Sequence, residues 1–207
     1  MQSKTARKLP KQARSKATVT AVLDATIRIL DREGPDAATT TRIAEVAGIS
    51  IGTLYQYFSH RDAILDALQD REFERAMELM QRVLGSTGAN GQAKEVAREV
   101  ILGLLGLYAD APGLHRVLAQ EGLRVASADR VHAFDMRVIA VVRNFLAASS
   151  LPIRRKNLDA AAFVVFQSVR ASLLAWMLES PSGVNDTALA DELTDMILRY
   201  LVNDSPA

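Results

Sequence analysis

Between Thr39 and Arg61 the chain concentrates side chains that form hydrogen bonds while staying uncharged near neutrality. They are Thr40, Thr41, Ser50, Thr53, Tyr55, Gln56 and Tyr57, and the cation Arg61 closes the run. Such a set suits the reading of a polyanion that also displays donor and acceptor edges. Thr53 and Gln56 have the length and polarity to reach base edges in a DNA groove. Tyr55 and Tyr57 combine a flat apolar body with a hydroxyl, matching a thymine methyl or a phosphate oxygen. Ile51 offers an apolar side chain to such a methyl or simply lies exposed. Gly52 carries nothing that would block a backbone approach to phosphate. Plainer roles exist for some of these residues: Tyr55 and Tyr57 can pack, and Thr40 can cap a helix.

Reaction chemistry has no comparable cluster. The chain has no cysteine, which excludes a disulfide scaffold, a thiolate zinc site and a Cys nucleophile. His60, His115 and His132 stand far apart and form no Glu-x-x-His or His-x-x-x-His pair, so no helical metal site is expected. No glycine-rich phosphate loop and no serine in a nucleophile-elbow context occur. Carboxylates fall mostly on solvent faces. The expectation is a binding protein without catalytic activity, cofactor or metal.

The elements that must position the polar run are helices. The 207 residues hold 11 glycines and 6 prolines, below the roughly 12% combined average usage. With 49% apolar and 24% charged residues the composition is that of a globular protein, rich enough in Ala and Leu for long helices with short connections. Val19, Val22, Leu23, Ile27 and Leu30 recur at helical spacing from Thr18 until the breaker pair Gly34-Pro35. Thr39 is placed to cap a short helix, Thr40–Ala47, that Gly48 ends. Ser50 caps again and opens a helix through about Phe58. A pair of short helices around Gly48-Ile49-Ser50 is the helix-turn-helix arrangement. The N–H groups and dipole at the start of the second helix would face a phosphate.

Beyond Arg61 the pattern predicts helices over 61–84, 94–109, 113–123, 128–148, 154–178 and 187–202, with no strand and no internal repeat. The fold class is therefore all-α, about nine helices. Residues 1–17 read as a flexible basic arm, 18–61 as a three-helix DNA-binding domain, and 62–207 as a second, helical domain. With no apolar leader at the N-terminus, the expected compartment is the cytoplasm.

Net charge is +1 over the whole chain, but its distribution is uneven. Residues 1–23 carry six basic groups, Lys16 among them, and no acid. Residues 1–61 hold ten basic and five acidic groups, so the remainder is acidic. A basic end on an acidic body suits a chain that meets a polyanion at one end, and a solubilising tail is the plainer reading.

The stretch Leu30–Leu68 resembles the DNA-binding domain of the TetR family, the tetracycline-repressor-like regulators. The resemblance rests on Gly34, on TTTRIAEVAGIS (39–50) and on IGTLYQYFSHRDAILDAL (51–68). It implies a homodimeric regulator, most simply a repressor, that a small-molecule effector releases from a near-palindromic double-stranded operator. It implies that Thr40 and Thr41 touch phosphate or base, that Arg61 clamps the DNA backbone, and that Lys16 and the arm add phosphate contacts. Many relatives have Lys or Arg before the glycine where this chain has Ile51, which shifts phosphate binding toward the arm. The alternative is a helical ligand-binding or interaction dimer whose DNA module is not used.

By the same resemblance residues 62–207 form the ligand-binding and dimerisation domain, in which the last two helices pair with their twins and the middle helices enclose an effector pocket. Its candidate lining is Phe73, Met77, Leu104, Tyr108, His115, Phe134, Val138, Phe163, Phe166, Gln167, Arg170 and Trp176, most of which can equally be ordinary core. The segment 158–178 is apolar nearly all round, so it must be covered on every side, and the stripe Leu189–Tyr200 also suggests a partner. A membrane span is disfavoured because Gln167, Ser168, Arg170 and Ser172 sit mid-segment, where Arg alone costs about 2.5–3.5 kcal/mol. Arg170 needs a counter-charge: an internal carboxylate, an acidic ligand or a contact across the dimer.

Overall fold

The computed structural model describes residues 11–86, 93–121 and 128–202. Among the described residues the chain forms nine α-helices: α1 (Lys11–Arg32), α2 (Thr40–Ala47), α3 (Ile51–Tyr55), α4 (Arg61–Ser86), α5 (Ala93–Asp110), α6 (Pro112–Glu121), α7 (Ala128–Ala148), α8 (Leu158–Glu179) and α9 (Asp186–Leu201). One turn of 3-10 helix, Pro35–Ala37, joins α1 to α2. Strand-like pairing among these residues is a single antiparallel bridge between Ile153 and Val202. Of the stretch Gly85–Gly91, whose composition predicts a loop, Gly85 and Ser86 still belong to α4 and 87–91 lie outside the described residues, as do residues 1–10 of the basic arm.

The chain divides into two compact units, residues 1–69 and 70–207. Sequence reasoning put this boundary at 61/62. The first two turns of α4 belong to the first unit because Ile64, Leu65 and Leu68 are buried there. A second difference is the start of α1, seven residues before the expected Thr18. Residues 11–17 (KQARSKA) are good helix formers, and an exposed helix end needs no apolar periodicity. The Thr18 hydroxyl donates to the Arg14 carbonyl at 3.0 Å, one turn back.

In the first unit Val22, Ala25, Ile29 and Leu30 of α1, Ile43 and Ala44 of α2, and Leu54 of α3 are buried. Buried Thr26 satisfies its hydroxyl on the Val22 carbonyl at 2.8 Å. The predicted caps are present. The Thr39 hydroxyl accepts the Arg42 N–H, and Gly48 ends α2 in the left-handed region at φ 69°. Space around Gly48 is open, so the backbone angle alone demands glycine. Gly48→Ala is expected to destabilise the first unit by about 1 kcal/mol. Amide exchange of α2 and α3 would read this, since the one tryptophan, Trp176, lies in the second unit.

In the second unit α5 packs chiefly on α9, and α7 on α8. One core joins Ile101 and Leu105 of α5, Leu146 of α7, Leu173 of α8, and Ala190, Leu193, Ile197 and Leu201 of α9. A second joins Met77 and Met80 of α4 with Val138 and Phe166. Most of the α9 stripe expected to seek a partner is thus covered by the chain's own α5, because two amphipathic helices at hand satisfy each other first. Asn157 and Asn185 cap α8 and α9, their side chains accepting the N–H groups of Ala160 and Ala188. By length and composition α8 could cross a membrane. It nevertheless buries Ala161, Ala162, Phe166 and Leu173 within the unit and carries Arg170 near its middle.

Candidate nucleic-acid interface and effector site

The polar run folds into one surface because α3 has a single buried anchor. Leu54 is fully buried, and Phe58, just beyond the helix, is nearly so. Around them Ile51, Gly52, Tyr55, Gln56 and Tyr57 are exposed, as is Thr41 on α2. The helix is shorter than the expected 50–58. The Leu54 carbonyl accepts the N–H groups of both Tyr57 and Phe58, at 2.9 and 3.0 Å, which tightens the last turn and ends α3 at Tyr55.

Short hydrogen bonds join these residues to one another. The Ser50 hydroxyl accepts the Thr53 N–H at 3.0 Å and meets the Thr53 hydroxyl at 2.8 Å. The Tyr55 hydroxyl lies 3.2 Å from the Thr40 hydroxyl, which ties α3 to the first turn of α2 although Tyr55 as a residue is 52% exposed. Gly52 is not required by packing, since an added Cβ would meet only the Ser50 hydroxyl at 3.8 Å. Its missing side chain leaves that face open. Lys16 is exposed on α1.

The cations of this unit are used unequally. Arg42 grips Glu33 with two bonds of 3.0 and 3.1 Å and lies 3.0 Å from Glu45. That hydrogen bond holds the Glu33 carboxyl below its usual range and raises Arg42 above its own. Arg61 donates from Nε to the Ala38 carbonyl at 3.0 Å and from Nη2 to the Pro35 carbonyl at 3.3 Å. His60 caps α4 by accepting the Ala63 N–H at 3.1 Å.

The effector candidates separate into distinct surroundings. Phe73 stacks on Phe134 with centroids 4.0 Å apart and rings 3° from parallel. Phe134 packs with Met77, Val138 and Phe166. Leu104, Tyr108 and Trp176 belong to the other core, and the Trp176 indole donates to the Val184 carbonyl at 3.2 Å. Gln167 is half-buried, whereas Phe163 is 51% exposed and lines no interior. An open groove of about 510 Å³ lies elsewhere, between α4 and α5, lined by Leu79, Arg82, Val83, Glu95, Arg98, Glu99, Leu102 and Gly103. None of the twelve candidates lines it.

Two buried acids escaped sequence reasoning. Glu72 is buried with its Oε2 2.9 Å from Arg75 and 3.6 Å from His115 Nε2. Arg75 continues to Asp110 at 3.0 Å, and the Tyr108 ring meets His115 edge-on at 4.9 Å. Asp135 is buried with Oδ1 3.6 Å from Arg170 Nε. Burial raises the Asp135 carboxyl, and Arg170 offsets part of that rise. Burial likewise raises the Tyr108 phenol. Arg170 therefore has the internal carboxylate among the three partners considered for it. A signal for both acids existed. Glu72 follows Leu68 by four residues, and Asp135 lies between Val131 and Val138, so each occupies an apolar-stripe register.

A capped α2–turn–α3 pair with a polar outer face, carried on an all-helical chain, defines a helix-turn-helix DNA-binding transcriptional regulator. The model of bacterial regulatory proteins of the tetR family matches residues 22–68, and that of the tetracyclin repressor-like C-terminal domain matches residues 94–201. The chain belongs to the TetR family. The HTH-type transcriptional repressor KstR of Mycolicibacterium smegmatis is 41% identical over 54 residues, 26% of each chain. KstR of Rhodococcus jostii is 27% identical over 180 residues, 86% of this chain and 80% of that one. The structure of the transcriptional regulator FadR from Bacillus subtilis, solved with stearoyl-CoA, superposes with a TM-score of 0.69 at 17% identity, covering 87% of this chain and 98% of that one.

Proposed function

We propose that this chain is a homodimeric, ligand-responsive repressor that leaves a near-palindromic operator when a small molecule binds within its second unit. The observation that carries the reading is the α2–α3 surface, where Leu54 and Phe58 point inward and Thr41, Ile51, Gln56 and Tyr57 are exposed. Gln56 and Tyr57 would read base edges, Thr41 and the N-terminal turn of α3 would contact phosphate, and Lys16 would add backbone affinity. Thr40 and Tyr55 act as a bonded pair that sets the angle between the two helices. Support for repression comes from the KstR relatives, which are named as repressors.

The apolar cluster of Phe73, Met77, Phe134, Val138 and Phe166 is the proposed effector site, with Arg170 and His115, the partners of the buried acids Asp135 and Glu72, as candidate polar contacts. A ligand there acts by binding one conformation of the dimer more tightly than the other. FadR was solved with stearoyl-CoA, so that compound is a sensible first probe in a thermal-shift screen. The site of action would be the cytoplasm, where the DNA is.

The test is selection of duplexes from a random library by the wild-type chain, followed by gel shifts. The expected motif has two half-sites about 34 Å apart. Gln56→Ala should relax discrimination at one position of each half-site by about 1–3 kcal/mol. A folded dimer that enriches no sequence, even at low salt, would sink the regulator reading in favour of a helical binding dimer.

A further inference from the structure

We propose that Arg61 is a positioning residue for DNA recognition, holding the entry to α2 in place rather than gripping a phosphate. The inference rests on the DNA-binding reading above. It departs from the backbone-clamp role that the family resemblance implies for this residue.

Each nitrogen of the guanidinium already faces an oxygen of the protein. Nε donates to the Ala38 carbonyl and Nη2 to the Pro35 carbonyl, while Nη1 stands 3.9 Å from the Asp62 carboxylate. Two of the five N–H groups are thus committed to backbone carbonyls, and a phosphate approaching the remaining ones on Nη1 and Nη2 would lie beside the like charge of Asp62. The two carbonyls bracket the Pro35–Ala37 turn: the Pro35 carbonyl accepts the Ala38 N–H at 3.2 Å and takes Arg61 as a second donor, and Ala38 is the residue that ends the turn. Ala38 is buried, so its carbonyl has little access to water as an alternative partner.

What these carbonyls position is the reading surface. Ala38 directly precedes Thr39, the cap of α2, and Thr40, whose hydroxyl meets Tyr55. Arg42 braces the same helix from the other side through Glu33, at the end of α1. Arg61 therefore fixes where α2 begins, and through Thr40 and Tyr55 it sets where α3 lies. Only a planar fork spans two carbonyls three residues apart, and a lysine ammonium lacks that geometry.

The experiment compares wild type, Arg61→Lys, Arg61→Gln and Lys16→Gln. Affinities are measured over a salt series on a duplex selected by the wild-type chain and on a random-sequence duplex. Both Arg61 variants should lose about tenfold on the selected duplex, the scale of one charge-assisted hydrogen bond. They should keep the affinity for random sequence and the wild-type salt slope. Lys16→Gln, as the phosphate control, should weaken both duplexes and reduce the slope by about 0.9. Without DNA, Arg61→Lys should speed amide exchange in the first turn of α2 while leaving the second unit unchanged. The proposal is overturned if Arg61→Lys binds like wild type while Arg61→Gln behaves like Lys16→Gln. It is also overturned if both variants lose helicity and affinity for both duplexes together. A wild-type chain that enriches no sequence overturns the DNA reading itself, a result separate from any difference among the variants.

Discussion

Leu54→Ala is expected to abolish sequence-specific DNA binding and to destabilise the first unit by about 2–5 kcal/mol. The α3 helix spans only Ile51–Tyr55, and Leu54 is its one buried residue. A helix of five residues has no stability of its own, because nucleation costs more than so few bonds return. Leu54 is what attaches it to α1 and α2. Truncation leaves a cavity where a fully buried side chain stood, and the Tyr55–Thr40 bond cannot hold the helix by itself. The second unit should be unaffected, so Trp176 fluorescence should still report a native melt. Gel shifts on a selected duplex, with amide exchange across residues 40–58, would check this. Retained specific binding would show that α3 is positioned by something other than Leu54.

Phe163→Glu combined with Val164→Glu is expected to convert the proposed dimer to monomer and to lower operator affinity by about 10²–10⁴-fold, the gain that linking two half-site contacts provides. The basis is the outer face of α8. Ala160, Phe163, Val164, Ala171, Ala175 and Leu178 are all exposed and recur at helical spacing. Met196 of α9 adds a further exposed apolar side chain. Large exposed apolar stripes on a folded unit mark interaction surfaces, and the proposed occupant is the same face of a second copy. Neither substitution touches a buried residue, so folding should persist. Sedimentation of wild type and variant would decide the point, and a wild-type chain that sediments as monomer at micromolar concentration would remove this interface from the proposal.

Local features were legible because their causes are local. Thr39, Gly48 and Ser50 cap helices through bonds to residues three or four positions away. Apolar spacing marked α1, α4, α5, α7 and α9, capping residues marked α2 and α3, and α7 begins and ends at its expected residues. Boundaries slipped where periodicity is silent, at the exposed first turns of α1 and at the tightened end of α3. The exposed polar face of α2 and α3 was legible for the same reason: its residues lie within one short run of chain.

The sequence by itself determined an all-helical chain, a helix-turn-helix with its caps, and the polar residue types on its outer face. Only the tertiary structure decided what each apolar stripe meets, since periodicity says that a face is buried and never against which partner. That is why α9 was found on α5, and why Phe163 stands outside the interior it was expected to line. It also decided the partners of the long cations. Arg61 reaches carbonyls 23 and 26 residues back. Arg170 finds Asp135, and Arg75 joins Glu72 to Asp110. A buried charge must be matched by whatever acceptor the fold brings within a few ångströms, and chain distance gives no measure of that.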